Sequence, residues 1–208
     1  MVEFTRRKVM TVASGAALAL AAMKSAAARP MPTPRQTEGP FYPDVMPDDV
    51  DNDLVKIAGR ARMAGGEILA LTGRVLDAEG RPQPQALVEI WQCDVEGNYI
   101  HTEGGAARKR DANFQGYGRT RTDAEGRYTF RTIKPAPYPG RTPHIHMKVT
   151  AAGGRALTTQ MYVEGEPRNA RDFLYRALSA DEKARVTAKL ERASGPFDWT
   201  GAFDIVLS

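Results

Sequence analysis

Cysteine is almost missing from this chain. Cys93 stands alone among 208 residues, so no intrachain disulfide can staple the fold. A thiolate metal site is disfavoured too, because Cys93 lies inside the largely apolar run 86–93 and reads as a small buried hydrophobe. Apolar runs long enough to span a bilayer are absent, which excludes a bundle of membrane spans. No sign of charge dominates either. The formal charge is +4, but Arg6, Arg7, Lys8 and Lys24 against Glu3 place +3 of it in residues 1–28, leaving +1 for the rest. That balance removes the electrostatic footprint of a nucleic-acid partner. With hydrophobic residues at 42% and charged residues at 26%, the chain suits one globular domain with a sizeable core.

Residues 1–28 combine Arg6-Arg7-Lys8, an apolar run from Val9 to Met23 and the small-residue stretch Ser25-Ala26-Ala27-Ala28. This order reads as a secretory signal peptide, with an uncleaved anchor helix as the alternative. Thr5-Arg6-Arg7 resembles the opening of a twin-arginine signal, an export route for folded proteins. The mature protein is therefore expected outside the cytoplasm, periplasmic or extracellular.

Residues 29–68 hold Pro30, Pro32, Pro34, Pro40, Pro43 and Pro47, a density that excludes helix and predicts an extended arm over a core. From there the texture changes. Strand-length segments at 68–76, 87–91, 118–122, 127–132, 144–150, 156–163 and 202–207, separated by turn-rich stretches, predict an antiparallel β-sandwich over 69–208. The pentapeptide Asp-Ala-Glu-Gly-Arg occurs at Asp77 and again at Asp123, which turn chemistry explains more cheaply than duplication. One helix is expected in the C-terminal region: Ser179-Ala180-Asp181-Glu182 forms a capping box, and Val186, Leu190 and Ala193 continue an apolar face toward Gly195-Pro196.

The chain has three histidines, and two form His144-Ile145-His146. On a strand, residues two apart share a face, so both imidazoles can reach one ion while Ile145 points the other way. Such a pair serves zinc, copper and iron alike. The loop before it, Pro135-Ala136-Pro137-Tyr138-Pro139-Gly140-Arg141-Thr142-Pro143, is stiff enough to hold a tyrosine and an arginine beside the histidines. A second tyrosine, Tyr99, follows Trp91-Gln92-Cys93 just past a core strand.

Together these stretches, with Thr37-Glu38-Gly39-Pro40-Phe41-Tyr42-Pro43 and Thr159-Gln160-Met161-Tyr162, resemble the intradiol ring-cleavage dioxygenases. That family includes protocatechuate and catechol dioxygenases. The resemblance implies a prealbumin-like sandwich in which Tyr99, Tyr138, His144 and His146 bind Fe(III), with Arg141 and Gln160 beside them. It implies a catechol-type substrate, O2 as co-substrate, and Tyr138 as the tyrosinate that gives way to substrate. Two phenolates and a hydroxide cancel the charge of a ferric ion, so such a site tolerates burial. Phenolates also favour Fe(III), unlike the two-histidine, one-carboxylate sites of ferrous oxygenases. His101 is expected outside the ligand set, before a loop at 102–113.

Catechol-type members carry an N-terminal helical domain, whereas this arm has no helical period, so the likeness is to short, protocatechuate-like or exported forms. Protocatechuate enzymes pair unlike chains, and a homo-oligomer or an unlike partner subunit both stay open. Two other readings compete: a non-catalytic prealbumin-like binding module, and a zinc or copper hydrolase on the same strand.

Overall fold

The computed structural model describes residues 29–101 and 110–208. The expected leader and most of the 102–113 loop lie outside the described residues. Ten strands are present among those residues: β1 (Ile68–Asp77), β2 (Leu87–Trp91), β3 (Tyr117–Arg121), β4 (Arg127–Ile133), β5 (His144–Thr150), β6 (Ala156–Val163), β7 (Thr187–Ala188), β8 (Leu190–Arg192), β9 (Trp199–Ala202) and β10 (Ile205–Leu207). Between β6 and β7 come a 3-10 turn at Pro167–Arg171 and two short helices, α1 (Phe173–Ala177) and α2 (Ala180–Val186).

The strands form two sheets. In the first, β1 pairs with β4, β9 and β10, and β8 lies beyond β9; the second runs β3-β2-β5-β6-β7. Alternation sorts the side chains. Leu69, Leu71 and Val75 of β1 meet Ile90, Ile145 and Met161 of the second sheet in one dry core. The opposite face of the second sheet carries Glu89 and Trp91 on β2, His144 and His146 on β5, and Gln160 and Tyr162 on β6, and all of these are buried as well. The arm buries them. Its Thr33 N–H donates to the Val206 carbonyl at 2.9 Å and its Gln36 N–H to that of Thr158 at 2.8 Å, so it runs across both sheets.

The repeated pentapeptide makes the same turn twice. Asp77 Oδ1 accepts from the N–H groups of Glu79 and Arg81, and Asp123 Oδ1 from those of Glu125 and Arg127. Gly80 and Gly126 take φ of 79° and 74°, the left-handed region that favours glycine.

Three expectations are corrected. The sheets are mixed, because β1 pairs in parallel with β9 and β10, and β6 with β7. The 202–207 strand is two, broken at Phe203-Asp204. The C-terminal helix is also shorter than expected. Its capping box forms as read, but α2 stops at Val186 and Thr187 turns extended. Val186 and Leu190, four residues apart, satisfy a period of two as well as one of 3.6, Ala188 between them fits the strand period alone, and the free edges of β6 and β9 offer backbone partners that a helix would forgo. The 3-10 turn and α1 were not expected at all.

Gly73 marks the tightest crossing in the first sheet: a Cβ there would lie 2.0 Å from the Phe203 carbonyl oxygen. Neither backbone can yield without losing pairing. Gly73→Ala is expected to destabilise the protein by about 2 kcal/mol or more, measured by urea unfolding, and a neutral result would contradict this packing.

Candidate metal centre

Strand register builds the floor of the site. Trp91 faces His146, which faces Gln160, and His144 faces Tyr162 in the neighbouring row. Both histidines are 1% exposed. His144 Nδ1 lies 2.6 Å from the Thr142 carbonyl, to which it donates, so its Nε2 lone pair points into the site. His146 Nδ1 has no hydrogen-bond partner among the described residues. Packing orients that ring instead: it stacks on Trp91 at 4.9 Å and 9°. On another side Gly39, at φ +74°, stands so close that a Cβ would lie 3.3 Å from His146 Cε1.

Turns deliver the phenols. In Tyr138-Pro139-Gly140-Arg141 the Arg141 N–H donates to the Tyr138 carbonyl at 3.0 Å and Gly140 takes φ 83°, the pattern of a type II turn. The turn brings the two side chains together, with Arg141 Nη1 donating to Tyr138 Oη at 3.2 Å. Tyr99 follows a turn in which Asp94 Oδ1 accepts from the N–H groups of Glu96 and Asn98. Gly97 within it is required by contact, since a Cβ there would sit 3.2 Å from Tyr138 Cβ.

The six residues singled out in the sequence therefore meet. His144 Nε2 lies 3.2 Å from His146 Nε2, 3.4 Å from Arg141 Nη1 and 3.5 Å from Tyr99 Oη. The Tyr138 ring is 5.4 Å from that of Tyr99 and 5.5 Å from that of His144, centroid to centroid. Gln160 Oε1 accepts from Arg141 Nη2 at 2.6 Å. His101 stands to one side, edge-on to Phe41 at 6.1 Å.

Two neighbours escaped the sequence reading. Asp172 Oδ2 accepts from Arg141 Nε at 2.7 Å and from the Thr142 N–H at 3.0 Å, while Oδ1 caps α1 through Leu174 and Tyr175. Burial pushes this carboxyl up, but those N–H donors and the guanidinium outweigh it and hold it below the usual range. A cap signal was present in Asp172-Phe173-Leu174; nothing local linked it to Arg141. Phe41, within a matching stretch of the arm but given no role there, stacks on Tyr99 at 4.8 Å, while the neighbouring Tyr42 donates to Glu89.

This donor set fits a ferric ion. Two imidazole nitrogens 3.2 Å apart are spaced like ligands each about 2.1 Å from one first-row ion at roughly 100°. Burial, then the nearby Arg141 charge, lowers His144 to about 4, and burial, then His144 and Arg141, holds His146 well below its ordinary value. Burial likewise raises Tyr99 well above 10 and raises Tyr138 against the pull of Arg141. Neutral imidazoles are ready ligands, and such phenols ionise only beside a strong cation. Among the described residues no three His, Cys, Asp or Glu side chains group together as a metal site.

Proton linkage follows from the imidazoles. The unfolded chain binds protons at both histidines below about 6.5, the native iron-free protein only nearer 4 at His144. Stability of the iron-free protein is therefore expected to fall as pH drops across that window, by up to about 1.4 kcal/mol per pH unit for each histidine. Urea unfolding at stepped pH measures the slope. Replacing both histidines with Gln should flatten it, and an unchanged slope would count against buried neutral rings.

Comparisons with known proteins point to one family. The sequence profile of the family described as Dioxygenase matches residues 37–208. The chain is 39% identical over 168 residues to the beta chain of protocatechuate 3,4-dioxygenase from Burkholderia cepacia, covering 76% of this chain and 72% of that one. It is 36% identical over 169 residues to catechol 1,2-dioxygenase from Acinetobacter baylyi, covering 69% of this chain but only 50% of the relative's length. Among solved structures, the dioxygenase domain of a dioxygenase and carbohydrate-binding fusion from Streptomyces sp. SirexAA-E matches with a TM-score of 0.66 and 34% identity, over 86% of this chain and 99% of that one. The chain belongs to the intradiol ring-cleavage dioxygenase family.

Proposed function

We propose that Tyr99, Tyr138, His144 and His146 hold Fe(III) and that the protein cleaves a catechol-type ring between its two hydroxyl-bearing carbons, using O2 to form a cis,cis-muconate. One observation carries this reading: His144 Nε2 has the His146 nitrogen, the Tyr99 hydroxyl and the Arg141 guanidinium all within 3.5 Å. Family membership supports it and does not favour a non-catalytic binding module.

Iron bound by these groups supplies the Lewis acidity that holds a catecholate and makes its ring carbon reactive toward O2. The chain's own residues do the rest. Tyr138 Oη would take one of the two catechol protons as it gives way to substrate, and Arg141 Nη1, 3.2 Å from that oxygen, orients it beforehand. Negative charge builds on the ring as it ketonises, and the same guanidinium is placed to meet it. Asp172 and Gln160 fix the guanidinium from two sides, so little reorganisation is needed at the moment of reaction. Phe41, stacked on Tyr99, and the arm around it keep water from the reacting ring. A cleft of ≈ 260 Å³ lined by Tyr138, Arg141, Arg168 and Arg171 lies beside these groups, and its arginines suit an anionic catecholate. The leader pattern at residues 5–28 supports export, and twin-arginine export suits an enzyme whose iron is inserted before it leaves the cytoplasm. The substrate is then a catechol met outside it.

Oxygen uptake tests the proposal. The purified iron-loaded protein should be red from tyrosinate-to-ferric charge transfer and consume one O2 per ring with at least one of catechol, protocatechuate or hydroxyquinol, forming the corresponding muconate. A colourless protein inert toward all three would overturn it. Arg141→Lys should keep iron and colour but lose on the order of a hundredfold to a thousandfold in turnover, and an unchanged rate would refute the role given to Arg141.

A further inference from the structure

The side-chain amide of Gln160 has one orientation compatible with its neighbours. Its Oε1 accepts from Arg141 Nη2 at 2.6 Å, and its Nε2 donates to the Thr37 carbonyl at 3.1 Å. Reversing the amide would set its NH2 against the guanidinium and its oxygen against a carbonyl, two repulsive contacts in place of two bonds. Gln160 is fully buried, so water cannot replace a lost partner.

The Thr37 carbonyl belongs to the arm, and Gln36 holds the arm at this point. The Gln36 N–H donates to the Thr158 carbonyl at 2.8 Å, and its Nε2 donates to the Gln160 carbonyl at 3.2 Å and to Thr159 Oγ1 at 3.4 Å. Its Oε1 accepts from the Tyr162 hydroxyl at 2.8 Å. That hydroxyl also lies 3.3 Å from Gln160 Oε1, but it has a single proton, and the shorter bond to Gln36 takes it. Gln160 Oε1 is thereby left to the guanidinium. Two residues earlier the Pro34 carbonyl accepts from Thr159 Oγ1 at 2.8 Å, a second tack on the same strand.

We propose that Gln36 is a positioning residue for Arg141: through Thr37 and Gln160, the N-terminal arm sets where the guanidinium stands. Gln36 reaches Arg141 only through these partners. The catalytic consequence rests on the function proposed above, whereas the positioning does not.

Two variants and two readouts test this. Gln36→Leu removes every side-chain bond; Gln36→Glu keeps the acceptor for Tyr162, loses the donated bonds and, being the same size, serves if the leucine variant fails to fold. In 1H–15N spectra of the iron-free protein, the Gln160 NH2 pair and the Arg141 Nε–H should exchange slowly in the parent and lose that protection in Gln36→Leu, with Gln36→Glu intermediate. In the iron-loaded protein, Gln36→Leu should lower kcat about ten- to a hundredfold with iron content, colour and KM nearly unchanged. The same substitution on an Arg141→Lys background should cost less than about twofold, because the relay then has nothing to position. Unchanged protection in both variants, or an equal loss of kcat on both backgrounds, would overturn the proposal. Released Gln160 and Arg141 signals in a protein that never takes up O2 would uphold the positioning and discard the catalytic reading instead.

Discussion

Exclusion of water from one end of one sheet face is the constraint on which the rest depends. His144 and His146 sit on the side of β5 that points away from the sandwich core, a side that solvates freely in many antiparallel sheets. Here the arm, the turn at 138–141 and the loop carrying Tyr99 cover it. Both rings are consequently desolvated and held neutral, and two phenols beside them are held protonated. A cation of high charge bound among the four groups would accept the imidazole lone pairs and ionise the phenols in the same act.

The second sheet thus serves two purposes with one alternating pattern. Ile90, Ile145 and Met161 point into the core and supply cohesion. Trp91, His146 and Gln160, their neighbours along the same strands, form a cross-strand row on the other face. Stability of the core and precision of the site share a backbone, so a register slip would lose both together. Behind the row, Glu89 Oε1 accepts from the hydroxyls of Tyr42 and Tyr117 at 2.8 and 2.7 Å, which ties the arm to β2 and β3 beneath Trp91. His146, whose Nδ1 has no acceptor among the described residues, depends on that packing for its orientation, whereas His144 is aimed by a hydrogen bond.

Much of this was legible in the chain itself, because local rules govern the parts concerned. The period of two placed both histidines on one face, the stiffness of the proline-rich loop kept Tyr138 and Arg141 beside them, and the repeated pentapeptide gave its two turns. Contacts between distant segments were not legible. Asp172 looks like an ordinary helix cap, and nothing near it signals that its second oxygen grips Arg141. Gln36 sits in a proline-rich arm with no periodic pattern, yet its bonds run to β6. The end of α2 is ambiguous in the sequence because Val186 and Leu190 fit strand and helix alike, and the free sheet edges decide between them.

An anomalous-scattering map at the iron edge, from crystals of the iron-loaded protein, tests the central claim most directly. A single peak about 2 Å from Tyr99 Oη, Tyr138 Oη, His144 Nε2 and His146 Nε2 is the result this account predicts. A peak elsewhere, or one whose ligands omit the two phenolate oxygens, would contradict it.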